Sequence, residues 1–174
     1  MHLAPQGETS TSIALFLAVL SLLILGTLAG FSGTASWVAF AGILFQLRKC
    51  KWNIPHIKIV SLAFVLGGAL ESISVHQGLV TYQGTHGFHA LPWWMLLIWM
   101  AISLQFDGSL RCLRGRPLLA FLMGAIIGPV FMLAGEEMRI VKLATPIESL
   151  SWVAFEWASL FAILASLSKR YLVR

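Results

Sequence analysis

Six apolar runs punctuate the chain, at about residues 12–30, 35–47, 57–75, 92–106, 117–134 and 149–167, and polar residues gather between them. The second run is the shortest. Runs near 20 residues predict helices able to cross a hydrocarbon core of about 30 Å, because a helix satisfies its own backbone hydrogen bonds in lipid. Alternating apolar and polar positions, the mark of a membrane barrel strand, are absent. Pro92 and Pro117 open the fourth and fifth runs, where a missing N–H costs nothing. The pattern therefore predicts an all-α polytopic membrane protein of about six spans. Its parts are a short tail over 1–11, a single transmembrane helical domain over 12–168 and a basic tail over 169–174.

The polar gaps set an orientation. Arg48, Lys49, Lys51 and Lys58 fall between runs two and three, Arg111, Arg114 and Arg116 between runs four and five, and Lys169, Arg170 and Arg174 after run six. In a six-span arrangement these three places share one side. The other side holds Arg139 and Lys142, outweighed by Glu136, Glu137 and Glu148. Cytoplasmic loops collect Lys and Arg, so both termini are expected in the cytoplasm and the chain in a bacterial inner membrane. A cleaved signal peptide over the first run is the rival. Its leader carries no Lys or Arg, and its apolar core is longer than a usual signal segment.

Composition agrees with this class. Hydrophobic residues make up 58% of the 174 positions and charged residues 11%, against about 25% charged in soluble domains. The net charge of +5 comes from the cytoplasmic loops, so no nucleic-acid partner is expected. Cys50 and Cys112 stand alone in basic loops without metal spacing, and read as free thiols in a reducing compartment.

Small residues and tryptophans add packing and depth. Gly26 and Gly30 in the first run, and Gly124 and Gly128 in the fifth, are small-xxx-small patterns that permit close helix contact. That contact is open to the chain itself, to a second copy or to a membrane-protein partner. Pro129 predicts a kink in the fifth helix. Trp93, Trp94 and Trp152 are placed at the outer interface and Trp52 at the inner one.

Ionisable residues inside spans are expensive and mark a function or a specific partner. Glu71 in the third run and Glu156 in the sixth reach similar depths in the outer half. They either flank a polar cavity, where burial favours the protonated form of one carboxyl and the pair is a candidate for proton exchange in catalysis or transport, or reach water or a serine such as Ser72, Ser74 or Ser159. Asp107 is expected to pair with Arg111, four residues on. His76, His86 and His89 form a weak metal candidate, with an HxxH spacing in the last two. His76 lies five residues from Glu71 and so roughly 140° around a helix, which separates the two. No P-loop, GxSxG or dinucleotide fingerprint occurs, and no cofactor is expected.

Leu66-Gly67-Gly68-Ala69-Leu70-Glu71, Pro92 to Trp99, Ser109-Leu110, Gly128-Pro129 and Ala134-Gly135 follow one another in an order that resembles a family of small bacterial inner-membrane proteins known as a domain of unknown function. The resemblance covers roughly residues 35–165. It implies an acidic residue at Glu71, an Asn-His pair where this chain has Asp107-Gly108, and a tyrosine where it has Met132. Such families sit among genes of membrane-lipid modification and oxidative stress, and this one carries no established activity to transfer.

Together these readings give an expected function of handling or helping modify a membrane lipid or other hydrophobic molecule. The expected site is a polar pocket lined by Glu71, Trp99, Pro129 and Glu156. A non-catalytic membrane subunit and a small proton-coupled transporter are the alternatives. The predicted orientation is tested with a membrane-impermeant maleimide: Cys50 and Cys112 label in inside-out vesicles and stay unlabelled in intact cells. Labelling from outside would reverse the topology.

Overall fold

The computed structural model describes residues 14, 16–18, 21–22, 24–26, 32–49, 53–83 and 91–172. The described residues of the first apolar run are helical. Beyond them come α1 (Ser32–Lys49), α2 (Ile54–His76), β1 (Val80–Tyr82), α3 (Trp93–Gln105), a 3-10 turn (Arg111–Leu113), α4 (Pro117–Glu137), β2 (Val141–Leu143) and α5 (Pro146–Leu172). Three of these helices, α2, α4 and α5, are long and apolar enough to cross a membrane, and α3 is a shorter apolar helix. The fourth expected span is thus a helix of 13 residues, or about 20 Å at roughly 1.5 Å per residue.

Helix α3 is apolar all round, and nearly every residue from Trp94 to Gln105 is buried. A helix without a polar face belongs in the middle of a bundle, and α3 lies there, against α1 and α2. Its companion pair is α4 with α5, the most extensive helix contact among the described residues. The two glycines of α4 make that contact possible. A Cβ on Gly124 would stand 2.6 Å from the Trp157 carbonyl oxygen, and one on Gly128 would stand 2.6 Å from the Trp157 indole. The same device joins α2 to α3, where a Cβ on Gly67 would stand 2.5 Å from Trp99. Helix α4 continues through Pro129 as one helix.

Two short strands escaped the sequence reading. β1 and β2 pair antiparallel with Val80 opposite Leu143, Thr81 opposite Lys142 and Tyr82 opposite Val141. Val80, Tyr82, Val141 and Leu143 turn inward, while Thr81 and Lys142 face out. The ribbon closes one end of the bundle. Ser149 Oγ donates to the Leu79 carbonyl at 2.8 Å and fastens it to α5. A lone two-stranded ribbon is marginal in water, and this one is held by its buried face.

Both strands follow the same helix ending. At the end of α2, Gly78 N–H donates to Val75 O and Leu79 N–H to Ser74 O, each at 3.0 Å. At the end of α4, Arg139 N–H donates to Glu136 O and Ile140 N–H to Gly135 O, each at 2.9 Å. These are two Schellman motifs, with Gly78 at φ 70° and Arg139 at φ 58° in the left-handed region. The interval is constant: 67 to 128 for the packing glycines, 78 to 139 for the turns and 80 to 141 for the strands, each 61 positions. The chain therefore contains an internal repeat of helix, strand and helix, with α2–β1–α3 as the first unit and α4–β2–α5 as the second.

The glycine contacts yield a graded prediction. Gly124→Ala meets backbone atoms of α5, which cannot rotate away, and is expected to destabilise by about 1–3 kcal/mol, the usual cost of overpacking. Gly68→Ala meets only the end of Leu96, at 3.0 Å, and should cost less. Unfolding in mild detergent measures both, and equal stability of the two variants would contradict the tight α4–α5 seam.

Candidate functional site: a buried carboxyl pair beneath the ribbon

Glu71 and Glu156 are both buried, each 1% exposed. Neither reaches water, which removes one of the alternatives left open by the sequence. Glu71 comes from the C-terminal part of α2 and Glu156 from the first half of α5, helices in direct contact. Their carboxyls are close enough to act on each other electrostatically, and both act on Tyr82.

Each carboxyl has its own donors. Tyr82 Oη donates to Glu71 Oε2, and Trp99 Nε1 donates to Glu71 Oε1 at 3.3 Å. Ser74 Oγ lies 2.6 Å from Glu156 Oε2 and receives the Trp152 indole N–H at 2.8 Å. Trp157 Nε1–H approaches the Glu71 carboxyl without completing a hydrogen bond, and Glu156 Oε1 is buried without a partner. Met132 completes the surroundings, its sulfur 3.9 Å from Tyr82 Oη. The floor is aromatic: the rings of Trp99 and Trp157 are 4.6 Å apart, with Phe131 5.3 Å from Trp157.

Local folding explains why these side chains meet. The Schellman ending of α2 reverses the chain so that Tyr82, eleven residues after Glu71, hangs back over it. The alternation of β1 turns Tyr82 inward, and Trp94 steadies it with a ring contact at 5.5 Å. Burial, and then the two carboxyls, push the Tyr82 phenol well above its ordinary value, so the residue serves as a fixed donor.

Of the residues expected in a polar pocket, the structure brings together Glu71, Trp99 and Glu156. Pro129 is half-buried one residue after Gly128, which packs on Trp157. Tyr82, Ser74, Trp152 and Trp157 join the cluster. Ser74, one of the serines expected to partner the glutamates, bonds Glu156 from another helix. Tyr82 had no sequence signal beyond its place in a three-residue apolar alternation.

Other expectations move. Asp107 pairs with His56 Nε2 at 2.8 Å and with Arg114, rather than with Arg111. The reason is that α3 stops at Gln105, so Asp107 and Arg111 are not one turn apart on a helix. Trp94 is 1% exposed and donates to the Gln83 carbonyl at 3.0 Å, so it secures the ribbon. Trp93, at 46% exposure, faces outward. Gly124 and Gly128 are occupied by α5 of the same chain, and Gly26 is half-buried. His76 is exposed, and among the described residues no three metal-ligating side chains converge. Cys112 is free and exposed. Gly30, Cys50, Trp52, His86 and His89 lie outside the described residues.

An apolar helical bundle with three membrane-length helices and a buried acid pair defines the class of protein. Within that class, the chain belongs to the family DUF2878, described as a protein of unknown function, whose model matches residues 10–163. No curated protein and no solved structure matches the chain.

The hydrogen bond from Tyr82 is the accessible test of this geometry. Tyr82→Phe is expected to cost about 1–3 kcal/mol, because it withdraws a donor from a buried carboxyl. In a Glu71→Gln background the same change should cost measurably less. Equal costs in the two backgrounds, read by unfolding in mild detergent, would disconnect Tyr82 from Glu71.

Proposed function

We propose that this protein resides in the bacterial inner membrane, with both termini in the cytoplasm, and binds a membrane lipid or another hydrophobic small molecule within the bilayer. The observation that carries the reading is a cavity of about 770 Å³ between α1, α2 and α3. Trp37, Phe40, Phe64, Trp93, Leu97 and Met100 dominate its walls, and Ser36 and Ser61 are polar residues among them. Ligand sites of about 300–1,000 Å³ with mostly apolar walls and few polar groups are the usual form of a small-molecule site. An acyl chain matches such walls, and a serine hydroxyl suits an ester or alcohol oxygen.

The cavity and the acid cluster lie on two faces of α3. Leu97 and Met100 line the cavity, while Trp99 touches Glu71. A ligand on one face therefore bears on the helix that supplies a donor to the other. Glu71, Trp99, Pro129 and Glu156, expected to line the pocket, are not among the residues that wall this cavity.

The acid pair favours a second reading, a small proton-coupled carrier, since buried carboxyls in membrane helices are typical proton relays. The reading as a subunit held through glycine faces has less support, because Gly124 and Gly128 already pack on α5.

Filling the cavity separates these readings. Ser61→Phe places a ring in the space between α1 and α3, and is expected to lower several-fold the lipid that copurifies in mild detergent, measured by native mass spectrometry. Thermal unfolding should stay as in the unmodified protein. Lipid retention unchanged by Ser61→Phe would sink the binding reading, and proton flux in liposomes containing the purified protein would favour the carrier.

A further inference from the structure

We propose that Glu71 and Glu156 form a proton-binding site that holds one proton between the two carboxyls, carried on Glu156, while Glu71 stays ionised. This inference concerns the acid cluster and stands independently of any ligand in the apolar cavity.

The first argument is charge. Among the described residues, the groups that face the pair are Ser74 from α2, Tyr82 from β1, Trp99 from α3, Met132 from α4, and Trp152 and Trp157 from α5. None is a cation. Lys142, the charged residue of β2, is on the outward face of the ribbon. Among the described residues the ion pairs, His56 with Asp107 and Arg114 with Asp107, are made elsewhere. Two neighbouring carboxylates buried without a counter-ion repel each other in a medium that screens little. A single proton on one of the two removes that repulsion.

Hydrogen-bond direction decides which carboxyl carries the proton. Both oxygens of Glu71 face donors, and one of them, the Trp99 indole, can only donate. Trp157 Nε1–H is a third donor aimed at the same carboxyl. This is the environment of an acceptor. Glu156 has Ser74 at one oxygen and, among the described residues, no partner at the other.

A proton on Glu156 completes the Ser74 pattern. Glu156 Oε2–H then donates to Ser74 Oγ across 2.6 Å, Trp152 Nε1–H donates to the same oxygen at 2.8 Å, and Ser74 turns its own hydrogen to the Leu70 carbonyl at 3.4 Å. Two bonds accepted and one donated use the full capacity of a hydroxyl. An ionised Glu156 would claim the Ser74 hydrogen, strip Leu70 of its bond and leave Oε1 as a charged oxygen without a donor. A neutral acid bears that vacant oxygen at lower cost. The proton is exchanged with water, and no other reactant is needed.

Infrared spectroscopy of the full chain in lipid nanodiscs at about pH 8, well above the ordinary carboxylate range, tests the assignment. The protein should show the carbonyl stretch of a protonated carboxylic acid, lost in Glu156→Gln and kept in Glu71→Gln. Absence of the band in the unmodified protein, or its loss in Glu71→Gln with retention in Glu156→Gln, would overturn the proposal. A second measurement needs no variant. Dicyclohexylcarbodiimide converts protonated buried carboxyls to stable adducts, so peptide mapping should find the adduct on Glu156. Labelling of Glu71 instead, or of neither glutamate, would count against the proposal.

Discussion

A carboxyl buried among apolar helices must receive its hydrogen-bond donors from the protein itself, and that requirement ties this bundle together. Glu71 draws donors from β1 and α3, and Glu156 draws on Ser74 of α2, whose oxygen is also held by Trp152 of α5. Four elements are thereby fixed around one point. Apolar packing between helices is only weakly directional in lipid, whereas a buried polar group tolerates few arrangements. The cluster therefore sets where α2, α3 and α5 stand along one another, and the ribbon above it is placed by the same bonds.

The repeat supplies the frame in which this happens. In each unit a glycine admits a tryptophan from the second helix: Gly67 takes Trp99, and Gly128 takes Trp157. The two indoles then meet each other at 4.6 Å. Each unit also ends its first helix in a Schellman turn and sends a three-residue strand to pair with the other. Neither strand can exist without its partner, so the ribbon joins the units as well as covering the cluster.

The apolar periodicity made the membrane class legible, because run length and missing charge are properties of local sequence. Glu71 and Glu156 were legible as a pair for a similar reason: a carboxyl in an apolar run stands out, and helical rise gives its depth. The ribbon was not legible, since three residues of alternation in Val80–Tyr82 and Val141–Leu143 are too few to register against flanking helices. The repeat was hidden because much of it lies in backbone turns rather than in side chains: Gly78 and Arg139 share a conformation and no chemistry. Asp107 was misassigned for want of a helix end, which placed it on His56 and Arg114 instead of Arg111. The length of the fourth helix was not legible, since its apolar run is longer than the 13 residues that are helical and all-round apolarity marks a buried central helix and a lipid-crossing one alike.

The repeat also explains why the cluster is lopsided. At the same 61-residue interval, the partner of Glu71 in the second unit is Met132, and Tyr82 touches both, one through its hydrogen bond and the other at 3.9 Å. Likewise Ser74, which serves Glu156, corresponds to Gly135, whose missing side chain leaves room for Val141 of the ribbon. If both units carried the polar residues, two glutamates would face one phenol with a single hydrogen to give. A soft, weakly accepting sulfur at Met132 avoids that conflict. The second carboxyl enters instead from α5, at a position with its own serine, so each acid has a separate donor set. The difference between the two units leaves the acid pair unequal, and inequality is what allows one member to hold a proton while the other stays an acceptor.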